Sequence, residues 1–117
     1  MTIKRIGAGK RMSKAVVHGG KAYLAGFVAD AAKGKSVKEQ TEAVLAEIDR
    51  ILALCGTDKS RLLTAQIWLK DIDRDFAGMN KAWGEWADKS AMPTRATCEA
   101  KLARAELLVE IIVSAAV

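Results

Sequence analysis

Histidine occurs once in this chain of 117 residues, cysteine twice, and aromatic residues make up only 5%. One histidine and two cysteines do not supply the clustered ligands of a zinc site. Cys55 and Cys98 also match no metal-ligand or Cys-x-x-Cys spacing, so no metal is expected. Both thiols read as reduced and mainly structural. No apolar run is long enough to span a bilayer, and the start lacks the charged, apolar and small segments of a signal peptide. The expected compartment is therefore the cytoplasm, with no membrane partner. The net charge of +5 favours anionic partners. Basic residues gather mildly at Lys4, Arg5, Lys10, Arg11 and Lys14, but no aromatic residues interleave with them. Without a basic stripe or a recognition motif, nucleic acid is not an expected partner, and the charge reads as a solvated surface.

What is present is the composition of an ordinary globular protein, 50% hydrophobic and 28% charged. One domain over residues 1–117 with one core fits this length, and no repeat or linker interrupts it. "KAVVHGGKAYLAGF" at 14–27 reads as two short strands joined at Gly19-Gly20, where glycine supplies the positive φ angles of a tight turn. His18 beside that turn is either a general base or a plain surface residue. Ser36 with Glu39 three residues later has the capping-box pattern of a helix start. Val37, Val44, Leu45, Ile48, Ile51 and Leu52 follow at helical spacing, and Gly56 closes the helix. Residues 61–70 form a third strand. "DIDRD" opens a second helix, its acids matching the helix dipole, with Phe76, Met79, Trp83 and Trp86 as the apolar stripe. Asn80 beside that stripe either ties down a loop or contacts a ligand. Met92-Pro93 ends this region. "TRATCEAKL" reads as a strand, with a short turn near Ala103-Arg104 and a last strand at about 106–116. A further strand at 2–5 is compatible with the start. The expected architecture is α+β, with two helices on one face of a mixed sheet and another subunit covering the other face.

"LLVEIIVSAAV" at the end contains one carboxylate in an apolar strand, Glu110. A buried carboxylate needs a partner or a raised pKa. Alternation puts Leu108, Glu110, Ile112 and Ser114 on one side, and Leu107, Val109, Ile111 and Val113 on the other. If the last two strands form a hairpin, Arg95 or Lys101 lies near Glu110; another subunit is a further source of the partner. Arg95 follows Met-Pro at a strand mouth, where a guanidinium can read a carboxylate through two parallel hydrogen bonds. The alternative is a plain ion pair of Arg95 and Glu110, which says little about stability or function.

"MPTRATCEA" followed by "LLVEIIVSAAV" resembles the end of the reactive intermediate deaminase family, also called the RidA or YjgF family. That family carries Pro-x-Arg on one strand and (Val/Ile)-Glu-Ile on the last. "VVHGGKAYLAGFVA" resembles its early hairpin, and "EQTEAVLAEIDRILALCG" its first helix, with Gln40-Thr41 as the family's Gln-Thr pair. "DIDRDFAGMNKAWGEW" resembles its aspartate–phenylalanine–asparagine segment. The "MNKAW" stretch is similar to the YoaB-like subgroup. The resemblance implies a chorismate-mutase-like fold and a homotrimer with clefts at the subunit interfaces. It implies hydrolysis of 2-imino acids, or of the enamines in equilibrium with them, to 2-keto acids and ammonia, without metal or cofactor. By resemblance, Arg95 binds the substrate carboxylate and Glu110 orients the attacking water. Met12, Gly26, Phe27, Asn80 and Thr97 fall at positions that line the family's cleft.

Departures from the family pattern matter here. Met12-Ser13 stands where many members have an aromatic residue before the serine, and Ala25-Gly26-Phe27 stands for Ser-Gly-Gln. Thr97 replaces a frequent cysteine, and Cys98 falls on the opposite strand face. The cleft keeps its charged residues and loses some polar wall, which points to larger or more apolar imines. Two other functions are compatible with the sequence. A non-catalytic trimer binding a keto acid or another small carboxylate needs Arg95 alone. A ribonuclease role, associated with some eukaryotic members, has the charge but no motif behind it. A chorismate-mutase activity rests on fold analogy only.

Overall fold

Alternation in the strands and the 3.6-residue repeat in the helices sort the apolar residues onto two surfaces that must meet. A computed structural model describes residues 1–117. In chain order it has β1 (Lys4–Ile6), β2 (Ala15–His18), β3 (Lys21–Leu24), β4 (Phe27–Val28), α1 (Val37–Leu54), β5 (Leu62–Leu69), α2 (Ile72–Trp86), β6 (Thr94–Glu99) and β7 (Val109–Ala116). The strands join in one mixed sheet of order β1-β2-β3-β7-β5-β6, with β4 pairing beside β3 along β7. All pairings are antiparallel except β5 with β6. A parallel pair needs a crossover, and α2 provides it.

The local signals behave as their chemistry requires. Gly19 and Gly20 take φ of 61° and 79° in the β2–β3 turn, which suits glycine. Ser36 caps α1: its hydroxyl accepts from the Glu39 N–H at 3.2 Å and donates to the Glu39 carboxylate at 3.1 Å. Asp71 caps α2 by accepting from the Arg74 N–H. The buried stripe of α1 comprises Val37, Gln40, Thr41, Val44, Leu45, Ile48, Ile51 and Leu52. It packs with Met79 and Trp83 of α2 on Ala65, Ile67 and Leu69 of β5 and Val109, Ile111 and Val113 of β7. Both helices thus cover one face of the sheet. No helix is long and apolar enough to cross a membrane.

Three expectations are corrected. The last two strands do not form a hairpin, because β5 lies between them and pairs with both. The connection over residues 100–108 buries Leu102 and Leu107 and contains the expected short turn near Ala103-Arg104, where the Leu107 N–H donates to the Arg104 carbonyl at 3.2 Å. It easily spans the roughly 10 Å across one intervening strand. Phe76 is 41% exposed, and Asp75 takes the buried place at the start of the α2 stripe. Arg74 satisfies that buried carboxylate through two hydrogen bonds. Finally, Cys55 is buried in the core but Cys98 is exposed, so only the first thiol is structural.

The opposite face of the sheet has no covering layer. The Cα framework measures 44 × 37 × 20 Å, the thickness of one sheet with one helix layer. Tyr23, Thr64, Gln66, Ile112 and Ser114 line a shallow concavity there of about 630 Å³, and its lining extends to Thr94, Arg95 and Ala96 of β6. Half-exposed Tyr23 lies in register with Ser114, and Thr64 and Ser114 share a hydrogen bond at 2.5 Å.

Gln40 ties the two layers together. Its completely buried side chain donates to the carbonyls of Lys35 (3.1 Å) and Glu106 (2.9 Å) and accepts from the Leu108 N–H (2.9 Å). Gln40→Leu keeps the volume but unpairs three backbone groups at the entry to β7. Urea unfolding should register a loss of about 1–3 kcal/mol, since a part-buried polar group without a partner carries its desolvation cost. A variant as stable as the wild type would remove this tie from the account.

Candidate functional site

Directly opposed residues in neighbouring strands point to the same side of a sheet. Trp68 of β5 opposes both Glu110 of β7 and Cys98 of β6. Ala65 opposes both Arg95 and Val113, and Ile67 opposes both Thr97 and Ile111. Val113 and Ile111 belong to the helix-covered core. Glu110 therefore stands on the open face, while Arg95 and Thr97 stand on the helix side of the edge strand. The register thus puts the two residues on opposite sides of the sheet, with Arg95 on the edge strand also among the lining of the open-face concavity.

The Glu110 half is an apolar frame around one carboxylate. Trp68 and Val28 flank Glu110 in the neighbouring strands, and Ile112 follows it on the same side of β7. Gly26 completes the frame from the bend between β3 and β4. A Cβ at Gly26 would collide with the Glu110 carboxylate and come within 3.3 Å of Ile112. Glycine here is a condition for the close approach of backbone and carboxylate, not for an unusual φ. Burial alone pushes the Glu110 carboxyl above its ordinary value, with no hydrogen-bond or charge partner pulling it back.

The Arg95 half lies along the edge between β6 and α2. The Arg95 guanidinium stands over the Trp83 ring, 5.7 Å from its centroid. Partial burial lowers its pKa from the ordinary value, and no carboxylate opposes that shift. It stays a cation at neutral pH. Thr97 Oγ1 is the one buried side-chain polar atom without a hydrogen-bond partner. Glu99 at the end of β6 accepts from the Ile72 N–H at the start of α2, whereas Arg95 meets Trp83 near its end. Strand and helix thus run antiparallel, and Thr97 falls across from the α2 turn that carries Met79 and Asn80. The half-buried Asn80 amide enters none of the chain's side-chain hydrogen bonds. A loop-tying role for Asn80 has no partner here, which leaves its amide free for other contacts. No group of three or more His, Cys, Asp or Glu side chains is placed to hold a metal ion.

The sequence comparisons bear on this arrangement. The family described as endoribonuclease L-PSP matches residues 2–117. The chain belongs to this family, the YjgF or RidA family. A RutC family protein of Haemophilus influenzae is 46% identical over 115 residues, covering 98% of both chains. The RutC family protein YoaB of Escherichia coli K12 is 41% identical over the full length of both. Among solved structures, a YjgF family member from Neisseria meningitidis superposes with a TM-score of 0.94 at 44% identity, covering 99% of this chain and 95% of that one.

This RidA-family chain gathers only part of the expected cleft on each face. Glu110 and Gly26 come together on the open face. Arg95 and Thr97 share the other side, with Asn80 on the adjoining helix. Phe27 opposes Ile111 and packs against the core, away from Glu110. Met12 is 57% exposed in the loop between β1 and β2. His18 is exposed at its hairpin turn. Lys101 lies in the loop after β6, not opposite Glu110. Sequence reading passed over Trp68, Val28 and Trp83, because an apolar residue in an amphipathic pattern reads as core. For Trp68 the available signal was its alternation with buried Ile67 and Leu69.

The raised Glu110 pKa has a consequence for stability. The unfolded carboxyl titrates at its ordinary value and the folded one higher. Between the two the folded chain binds more proton, so stability falls as pH rises through that window. Glu110→Gln removes this dependence. Thermal melts should show the variant at least as stable as the wild type at pH 8, with the difference shrinking toward pH 4. A variant clearly less stable at pH 8 would mean that Glu110 has a favourable partner.

Proposed function

We propose that the chain is a 2-imino acid and enamine deaminase, acting as a homotrimer with its clefts between subunits. The observation that carries this reading is the pair of unneutralised charges. Glu110 is half-buried and Arg95 lies exposed on the edge strand, each shifted by desolvation alone, and they are held on opposite faces of one sheet. A chain that keeps both at a desolvation cost gains from them only if something else meets them. The uncovered face of a two-layer slab supplies the means. Closing it with the edge of another copy joins the Arg95 half of one subunit to the Glu110 half of the next. A cyclic trimer does this at every interface without leaving an open end.

The chemistry suits the groups. Arg95 anchors the substrate carboxylate through its guanidinium, with the Thr97 hydroxyl and the Asn80 amide as flanking donors. The protonated imine carbon is already electrophilic. Water adds to it, and Glu110 takes the proton that the water loses. The same proton then goes to the nitrogen; as the C–N bond breaks, Glu110 takes the remaining hydroxyl proton and passes it to the departing ammonia, leaving a 2-keto acid and ammonium. Positioning water and imine together is the main task, with general-base help worth about 10²–10⁴-fold. Gly26 keeps the Glu110 carboxylate in place against the backbone. An apolar frame of Trp68, Val28 and Ile112 favours imines with larger, less polar side chains. No metal or cofactor enters any of these steps.

An amino-acid oxidase can generate imino acids in place, with semicarbazide as a competing trap. The wild type should divert flux from semicarbazone to keto acid, most strongly for branched or aromatic substrates. Arg95→Ala and Glu110→Gln should each lose about 10²-fold or more while staying folded, the scale of a lost general base. Gly26→Ala should lose about 10²-fold, the scale of an ångström-sized misplacement. No diversion with any imine would overturn the deaminase reading and favour a non-catalytic carboxylate-binding trimer.

A further inference from the structure

Arg95 has an unusual support for a side chain that is to bind an anion. It sits on the exposed edge strand, its charge has no acidic partner, and its contact is the face of Trp83. We propose that Trp83 is a positioning residue, whose indole face fixes the Arg95 guanidinium for carboxylate binding without neutralising it. This rests on the reading of Arg95 as the substrate anchor, and it deepens that reading.

A free arginine side chain loses considerable rotamer entropy when it is held in one place. An aspartate or glutamate would hold it, but would occupy the N–H fork that the substrate needs. An aromatic face attracts the cation from one side and leaves the donors around the guanidinium rim available. That is the contact present here, and the ring making it is rigid. Trp83 is only 5% exposed. It packs on Trp86 with centroids 5.4 Å apart and planes tilted by 52°. The Trp86 indole N–H donates to Asp49 of α1 at 2.9 Å. Lys59 Nζ lies 5.2 Å from the Trp86 centroid. An anchored chain from Asp49 through Trp86 and Trp83 thus ends at Arg95. No carboxylate shifts the Arg95 charge; Asp49 is engaged by Trp86, and Glu99 by the first turn of α2.

Binding of 2-ketobutyrate, a product-class carboxylate, to the full-length protein tests this by calorimetry, with its neutral amide as the comparison ligand. Trp83→Leu should weaken 2-ketobutyrate about 5–20-fold, the range of a partly desolvated cation–π contact. Trp83→Phe, which restores an aromatic face, should stay within about twofold of the wild type. In turnover, Trp83→Leu should raise KM while changing kcat little, and the amide should bind all forms alike. Leu52→Ala, a cavity in the core of α1, controls for general damage and should leave the affinity unchanged. If Arg95→Ala abolishes binding but Trp83→Leu binds as the wild type does, the positioning role is wrong and the anchor stands. If Leu52→Ala weakens binding as much as Trp83→Leu, or the amide weakens in parallel, Trp83 serves packing only and the proposal falls. If Arg95→Ala binds like the wild type, anchor and support fall together.

Discussion

The register across β5 decides where every chemically interesting residue points. β5 pairs with β6 on one side and β7 on the other, and side chains alternate at each step. Ala65 brings Arg95 to the helix side, and Trp68 brings Glu110 to the open side. A slip of one residue in either pairing would exchange the faces and break the core at the same time, because Ile111, Val113, Ile67 and Ala65 occupy the intervening positions. The constraint that builds the core is therefore the one that separates the two charges. The proposed site, which uses both, draws one of them from a second copy.

Each half pays a local cost that the fold accommodates. Glu110 stands between Trp68 and Val28 with no compensating donor, and the absence of a side chain at Gly26 makes room for it. Arg95 is partly desolvated on an edge strand and rests on Trp83. Thr97 leaves a buried hydroxyl unpaired. Buried polar groups ordinarily find partners, and elsewhere in this chain they do: Gln40 satisfies three backbone groups, Thr41 donates to the Val37 carbonyl, and Arg74 grips Asp75. The unsatisfied groups concentrate at the sheet edge and on the open face.

Much of this was legible in the sequence, for reasons that differ by element. The Ser36–Glu39 cap, the stripe of α1 and the Gly19-Gly20 turn are local signals and came through unchanged. The alternation of β7 correctly split Val109, Ile111 and Val113 from Glu110 and Ile112. Strand order is not local, and the default of pairing successive strands placed Arg95 beside Glu110 wrongly. The deciding interactions were the burial of Leu102 and Leu107 in the connecting loop and the apolar side of β5, neither visible as spacing. Phe76 was assigned to the core because its spacing fits Trp83, yet Arg74 lets Asp75 be buried instead. The motif residues Arg95 and Glu110 stood out as charges in strand contexts. Trp83 did not, since nothing in a helical apolar stripe distinguishes a core residue from a support for a functional arginine.

The central claim is that the working site joins Arg95 of one copy to Glu110 of another, and mixed assemblies test it most directly. Arg95→Ala and Glu110→Gln chains would be unfolded together, refolded at equal amounts and assayed for imine hydrolysis beside each variant alone. With random mixing, half the copies supply each intact residue, so about one interface in four regains a complete site. The account predicts that the mixture recovers about a quarter of wild-type activity while each variant alone stays inactive. A mixture as inactive as its components would contradict it, and would place both residues in a site built by a single chain.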